Sequence, residues 1–400
     1  MTSSTNPPTI SSNGVLRPTY VEVNLTRLTE NYNAIKKAVA PAAVMPILKA
    51  NAYGHGLVEV AQHLVTLDVS YLGVAFLEEG ILLREVGIDV PILVLGGIIG
   101  NQIPLFLQHD LTLTASSVEK LYHIDAAAQE MGIQAKVHLK IDTGMERIGV
   151  HYYNADSLLE VALACKHCLV EGIYSHFANA DTAHPHAQLS SVDNAGTTTV
   201  HAQIQLDRFN QLLQFYKVRH LPRPVLQHIA NSGAILQMPN SHFNIVRAGI
   251  LLYGVYPSQE VAQTIAVRPC LSWKSRVVYF KVVQPDRPVS YGSTWQSDQQ
   301  TRIVTIPVGY GDGYFRAMSN KAEVLIRDKR YPTVGRICMD QLMVNIGWES
   351  AYNNDEVILI GEMGDVSIKV EEAAIWANTI PYEILTNINT RVPRIYVKKA

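Results

Sequence analysis

Residues 44–56 read VMPILKANAYGHG. Positions 44–50 form a nearly unbroken apolar run that closes on a lysine, Lys49, and a tyrosine and two glycines follow. A run that is apolar on both faces marks a strand buried in a parallel sheet. On either side, LTRLTENYNAIKKAV (25–39) and VEVAQHLVTL (58–67) space their apolar residues by three or four, which predicts helices.

The same alternation continues outward. YLGVAF (71–76), PILVLG (91–96), LTLTA (111–115), KVHLKID (136–142), LVEGIYSHF (169–177), VLQHIAN (225–231) and NIVRAGI (244–250) read as further buried strands. Helical patterns such as SVEKLYHIDAAAQEMG (117–132) lie between them. Strands alternating with helices predict an α/β fold, a (β/α)8 TIM-like barrel over residues 21–258, with a doubly wound open sheet as the alternative. Beyond about residue 260 the texture changes to short alternating runs such as RIVTIPVGY (302–310), AEVLIR (322–327) and DEVILIGEMG (355–364). They predict a C-terminal, mostly antiparallel β domain over 259–400, joined by the N-terminal segment 1–20. One helical pattern, VEEAAIWANT (370–379), falls within it.

Composition narrows the function. Apolar residues are 48% and charged residues 17% of 400, enough for a large core. A net charge of −2 without a basic stripe argues against nucleic acid as a partner. No stretch approaches the ~18–20 apolar residues of a membrane span. The opening MTSSTNPPTISSNG lacks the pattern of a signal peptide. Four cysteines, Cys165, Cys168, Cys270 and Cys338, make no disulfide framework, so a cytoplasmic location is expected. The Cys165–Cys168 pair falls in a helical pattern without a second pair and reads as packing rather than zinc. The loop at 181–203 holds His184, His186 and His201, yet no cysteine or carboxylate completes a ligand spacing, so it reads as surface.

Lys49 occupies the end of a barrel strand, the catalytic position of that fold. Burial lowers a lysine's pKa, and a neutral amine attacks aldehydes. A lysine snorkelling out of a strand end is the competing reading. Gly54 and Gly56 permit a tight turn beside Tyr53, where a phosphate-bearing cofactor fits. In KVHLKIDTGMERIGV (136–150), Arg147 suits a phenolate or carboxylate, or an ordinary ion pair. His176 in IYSHFANAD (173–181), taken alone, reads as a core histidine. Asn231-Ser232-Gly233 is a helix N-cap signal whose free N–H groups can bind phosphate. Arg247 stands in the apolar NIVRAGILLYG (244–254) and needs a partner, while Gly249 and Ile250 offer backbone N–H groups. In the second domain, VSYGSTW (289–295), IPVGYGDGYFR (306–316) and VGRICMDQ (334–341) stand out.

Taken together, these motifs resemble the alanine racemase family, the fold-type III enzymes that use pyridoxal 5′-phosphate. The resemblance runs from RPTYVEVNL (17–25) to RVPRIYV (391–397). It implies a homodimer whose active site is shared between subunits, with L- and D-alanine as substrates and D-alanine destined for peptidoglycan. By motif, Lys49 is the cofactor lysine and Tyr291 the second catalytic base, from the other subunit. Tyr53, Ser232, Gly249, Ile250 and Tyr382 match phosphate-binding positions, with Asn231 beside them. Arg247 faces the pyridine nitrogen, and His176 links it to Tyr291. Arg147 meets the phenolic oxygen and the substrate carboxylate, which Met339 also binds through its N–H. Lys140 matches a lysine often carbamylated in the family. Tyr310, Arg316, Arg336, Ile380 and Asp181 match the entrance corridor. Asn179, at that corridor, stands where the family carries a smaller residue. Ala248 replaces a usual proline, and loop 184–200 is longer than usual. A racemase of serine or larger amino acids, a decarboxylase of the same fold group and a non-catalytic barrel that binds the cofactor are the alternatives. A phenol at Tyr382 favours a small substrate. An arginine at 247 argues against a decarboxylase, and the second domain with Tyr291 argues against the non-catalytic barrel.

Overall fold

The computed structural model describes residues 16–183 and 201–398. The chain divides into two compact units, one of Leu28–Ala52 and Gly56–Arg268, the other of the residues up to Arg27, Tyr53–His55 and those from Pro269 onward.

The first strand, β1 (Tyr20–Asn24), belongs to the second unit, and helix Leu25–Val39 follows it. The first unit is then a run of strands: β2 (Ala43–Pro46), β3 (Leu72–Val74), β4 (Ile92–Val94), β5 (Leu113–Ala115), β6 (Ala135–Asp142), a two-residue β7 (Val150–His151), β8 (Cys168–Tyr174), β9 (Leu226–His228) and β10 (Ile245–Ala248). Parallel pairing joins β3 to β4, β5 to β6, β6 to β8, β8 to β9 and β10 to β2. Single parallel bridges, Ile47 to Gly73 and Leu93 to Thr112, complete β2–β3 and β4–β5. The Arg247 N–H donates to the Ala230 oxygen at 3.1 Å and ties β10 to the chain leaving β9. The eight strands of three or more residues therefore close on themselves, and the open-sheet alternative is set aside.

Local sequence accounts for the crossovers. Helix Val118–Met131 starts at Ser117, whose hydroxyl accepts the Lys120 N–H at 3.0 Å, and stops at Gly132 in the left-handed region. The paired strands are shorter than the apolar runs. The run at 44–50 pairs only to Pro46, apart from the Ile47 bridge. The Cys165–Cys168 pair does not lie within a helix. Cys165 is the extended cap of helix Ala155–Ala164, and Cys168 opens β8.

In the second unit, β1 joins β11 (Leu271–Arg276), β12 (Tyr279–Val283), β13 (Thr301–Ile306), β14 (Glu323–Ile326), β15 (Lys329–Val334), β16 (Leu342–Gly347), β17 (Glu356–Met363), β18 (Val366–Ile368) and β19 (Arg394–Val397). All these pairings are antiparallel except β1 with β19. Trp273 and Tyr314 pack edge to face at 5.6 Å in its core.

Gly172 on β8 lies opposite His138 on β6, and a Cβ there would come within 2.5 Å of the imidazole. Gly172→Ala should therefore cost about 1–3 kcal/mol through overpacking. Gly100→Ala, with no atom within 4 Å of the added carbon, should stay within about 0.5 kcal/mol. Thermal unfolding of the two variants checks the contrast.

Candidate active site

Lys49 ends the first barrel run, and the backbone after it does something L-residues avoid. Ala50, Asn51 and Ala52 take φ of 55°, 56° and 53°, and Tyr53 follows at 51°, a left-handed turn of four non-glycine residues. Such residues cost roughly 1–2 kcal/mol each. Specific hydrogen bonds hold the turn. Glu79 accepts the Ala50 N–H at 2.7 Å and, through its other oxygen, the Ala75 N–H at 2.7 Å. The Asn51 side chain accepts the Leu57 N–H at 2.8 Å.

Arg247 on β10 is buried, and its guanidinium is surrounded by acceptors without charge. It donates to the Ser175 and Ile229 oxygens at 2.8 and 3.0 Å, to His176 Nδ1 at 3.0 Å and to His228 Nδ1 at 2.6 Å. Because both imidazoles accept at Nδ1, both carry their proton on Nε2. His228 Nε2–H then donates to His138 Nδ1 at 2.9 Å. The proton of His138 is left on Nε2, which is buried and has no hydrogen-bond partner among the described residues. Burial first, then the Arg247 charge, push all three histidines below the ordinary value, His138 to about 3. Tyr174 stacks on His228 at 4.7 Å and donates to or accepts from Thr114 at 2.8 Å.

The lysines feel the same field. Burial, followed by Arg147 and Arg247, lowers the Lys49 pKa, while Glu79 opposes the shift. Lys140 on β6 falls to about 7, chiefly through burial, with Asp142 pulling the other way. Its Nζ donates to the Ile141 oxygen at 2.9 Å. Asp142 accepts the N–H groups of Gly144, Met145 and Arg147 at 2.7, 2.9 and 3.2 Å, which folds the loop carrying Arg147.

A place for an anion lies close in sequence to Arg247. Asn231 caps helix Ser232–Gln237 by accepting the Ala234 N–H at 3.1 Å. Ser232 Oγ accepts from the Gly249 and Leu251 N–H groups at 3.1 and 3.3 Å. The first-turn amides of that helix have no acceptor within the helix itself. Asn179 and Asp181 sit on the segment after β8. The Asn179 oxygen accepts the Thr182 hydroxyl at 3.0 Å, and burial raises the Asp181 carboxyl. Gln205 holds this segment by donating to the His176 oxygen and accepting the Ala178 N–H, both at 2.9 Å. His201 donates to the Gly144 oxygen. His184, His186 and loop 184–200 lie outside the described residues.

The second unit gathers the remaining candidates. Tyr53 and Tyr382 bring their rings to 6.1 Å. Asp312, fully buried, binds Arg17 and Arg391 at 2.7 Å each, and Arg391 also holds Asp340 at 2.7 Å. This clamp joins the Tyr310 and Met339 loops, since Tyr310 and Gly311 donate to the Cys338 and Met339 oxygens at 3.0 and 2.9 Å. Ser290 donates to the Arg336 oxygen at 2.5 Å, next to Tyr291. Tyr291, Cys338 and Gln341 border a cavity of about 480 Å³. Tyr291 is 70% exposed, Met339 53% and Ile380 57%. Arg316 opens a short 3-10 turn, Arg316–Met318.

Sequence reasoning passed over His138, His228, Tyr174, Glu79 and Gln205. The one available signal is polar residues in apolar runs: His138 two places before Lys140, and His228 just ahead of the cap at Asn231.

Fold and site describe a two-unit barrel enzyme whose strand ends collect two lysines and two arginines around buried neutral histidines. The description "Alanine racemase, N-terminal domain" matches residues 23–257, and "Alanine racemase, C-terminal domain" matches 270–396. An alanine racemase from Carboxydothermus hydrogenoformans is 42% identical, over 96% of this chain and 100% of its own. Solved alanine racemases from Clostridium difficile and Streptomyces lavendulae superpose with TM-scores of 0.87 and 0.88 at 36% and 32% identity. Each alignment covers 96% of this chain, with 97% and 98% of theirs. The chain belongs to the alanine racemase family.

Lys140 has a consequence for stability. Its folded pKa of about 7 lies below the ordinary 10.5, so between those values the unfolded chain binds the extra proton and stability rises with pH. The penalty is complete below about pH 7 and vanishes toward 10.5. Lys140→Met should stabilise the cofactor-free protein most below pH 7, with the gain shrinking as pH approaches 10. Urea unfolding in CO2-free buffer at several pH values measures this.

Proposed function

We propose that this chain interconverts L- and D-alanine, with pyridoxal 5′-phosphate carried on Lys49. The observation that carries the reading is the half-buried Lys49 amine at a strand end, its proton affinity lowered by partial burial and by Arg147 and Arg247. The donor set fits this cofactor. Its cations suit an anionic group, the Ser232 and Gly249 turns suit a phosphate, and Lys49 is the amine an aldehyde requires. Once bound, the cofactor supplies an electron sink that acidifies the substrate Cα–H.

The chain's residues do the rest. Lys49 Nζ takes or returns the Cα proton on one face. The partner's Tyr291 serves the opposite face of a homodimer's shared site. What supports that arrangement is the exposure of Tyr291 and Met339 in a single chain. Ser232, Gly249, Ile250, Tyr53 and Tyr382 hold the phosphate, with Asn231 fixing the turn. Arg247 keeps its charge, its pKa lowered only to about 10, so it leaves the pyridine nitrogen unprotonated and limits side reactions. His176 leaves Nε2–H for the partner's Tyr291. Arg147 and the Met339 N–H bind the substrate carboxylate. A neutral Lys140 amine adds CO2 and releases a proton, and the carbamate orients Arg147. Asp181, Asn179, Tyr310, Arg316, Arg336 and Ile380 line the approach. The enzyme then works in the cytoplasm and supplies D-alanine for peptidoglycan.

The purified chain should racemise alanine faster than serine or lysine, by kcat/KM. Lys49→Ala should remove both that activity and the visible absorbance of the bound cofactor; either one persisting in full would refute the lysine's role. Tyr291→Phe should slow α-proton exchange from L-alanine far more than from D-alanine. Equal losses for the two enantiomers would exclude a division of labour between two bases.

A further inference from the structure

Among the described residues, one group of metal-ligating side chains gathers away from the strand-end site. The ligand atoms of Asp125, Cys165 and Cys168 all lie within 4.8 Å of one another. Three elements bring them together. Asp125 lies on helix Val118–Met131, Cys165 is the extended cap of helix Ala155–Ala164, and Cys168 opens β8. The carboxylate is already oriented, because Asp125 accepts the His167 N–H at 2.7 Å. The Cys168 sulfur lies within 4.8 Å of both that carboxylate and the Cys165 sulfur. Cys168 is at the N-terminal end of β8, whereas Ser175 and His176, which bind Arg247, follow its C-terminal end. At about 3.3 Å per residue, the two sites lie roughly 20 Å apart.

A close cysteine pair invites two readings, a redox dithiol or a cation site. Reactive cysteines sit beside positive charge, which stabilises the thiolate. Here the neighbour is a carboxylate, and burial together with Asp125 pushes both thiols up. That environment suppresses attack on a disulfide. A divalent cation suits the same groups, because it displaces the thiol protons and offsets the negative charge that otherwise disfavours the thiolates.

We propose that Asp125, Cys165 and Cys168 form a structural site for a thiophilic divalent cation such as Zn2+, with water at the fourth corner. Tetrahedral zinc, with Zn–S about 2.3 Å and Zn–O about 2.1 Å, sets its donors roughly 3.5–3.8 Å apart, inside the span found here. Binding displaces two thiol protons to solvent and leaves a net charge of −1 on the cation with its three protein ligands. The cation ties the outer helix Val118–Met131 to the helix-to-strand turn at 165–168. Thiolate ligands select Zn2+ over the hard cations Mg2+ and Ca2+.

The test uses the holoenzyme, reduced without a thiol reagent and titrated with Cd2+, whose thiolate charge-transfer band reports sulfur ligation. One equivalent per chain should bind, and Zn2+ should displace it. The double variant Cys165→Ser/Cys168→Ser keeps Cys270 and Cys338, so it controls for adventitious thiols and should lose the band. Asp125→Asn should weaken binding about tenfold or more. Racemase activity should be unchanged in both. Equal bands in the parent and the double variant would overturn the proposal. So would a Cys165–Cys168 disulfide forming in air in a protein that takes up no metal when reduced. If the double variant fails to fold, the titration of Asp125→Asn against the parent still decides.

Discussion

A buried guanidinium with no carboxylate against it among the described residues is the constraint around which the barrel site is arranged. Arg247 is satisfied by two carbonyls and two imidazoles. The acceptors must therefore be neutral, with each imidazole protonated on Nε2, and they come from two neighbouring stretches of the barrel wall. β9 contributes His228, the exit of β8 contributes Ser175 and His176, and β6 contributes His138 behind them. Burial lowers both lysines, and the uncancelled charges of Arg247 and Arg147 lower them further. Burial and this shared positive field together account for neutral histidines, amines of lowered proton affinity and an attraction for anions.

The second unit uses the opposite device. Asp312 is a buried carboxylate bound by Arg17 and Arg391, and it gathers three remote segments of chain. Removing one partner of such an arrangement leaves a charge stranded, which is far more costly than losing a surface pair. The clamp gives the Tyr310 and Met339 loops fixed backbones while their side chains stay open to solvent. Rigid loops presenting exposed large side chains are suited to meeting another surface.

Much of the barrel was legible in the sequence because strands buried on both faces leave unbroken apolar runs. Helix Leu25–Val39 coincides with its periodic pattern, and β6 ends at Asp142 as its run does. Lys49 and the Asn231 cap stood out because each closes such a run. What stayed hidden depends on contacts across the barrel. His138 and His228 are 90 positions apart, and nothing local says that one donates to the other. Glu79 looks like an ordinary helix residue until its oxygens are seen holding the turn after Lys49. Cys165 and Cys168 read as helix packing because the carboxylate beside them comes from another helix. Family resemblance supplied roles for Tyr291 and Met339 that local pattern alone did not.

The left-handed turn at Ala50–Tyr53 bears on the order in which the protein assembles. Its backbone is disfavoured by its own side chains, so no local propensity can make it form early. It awaits Glu79, which arrives only when the β3–β4 crossover is in place, and Leu57 at the head of the next helix. Lys49 is therefore aimed by tertiary structure rather than by its own strand. Before that turn forms, the amine is an ordinary solvated lysine, mostly protonated at neutral pH and correspondingly slow toward aldehydes. Chemical competence and the completed barrel appear together.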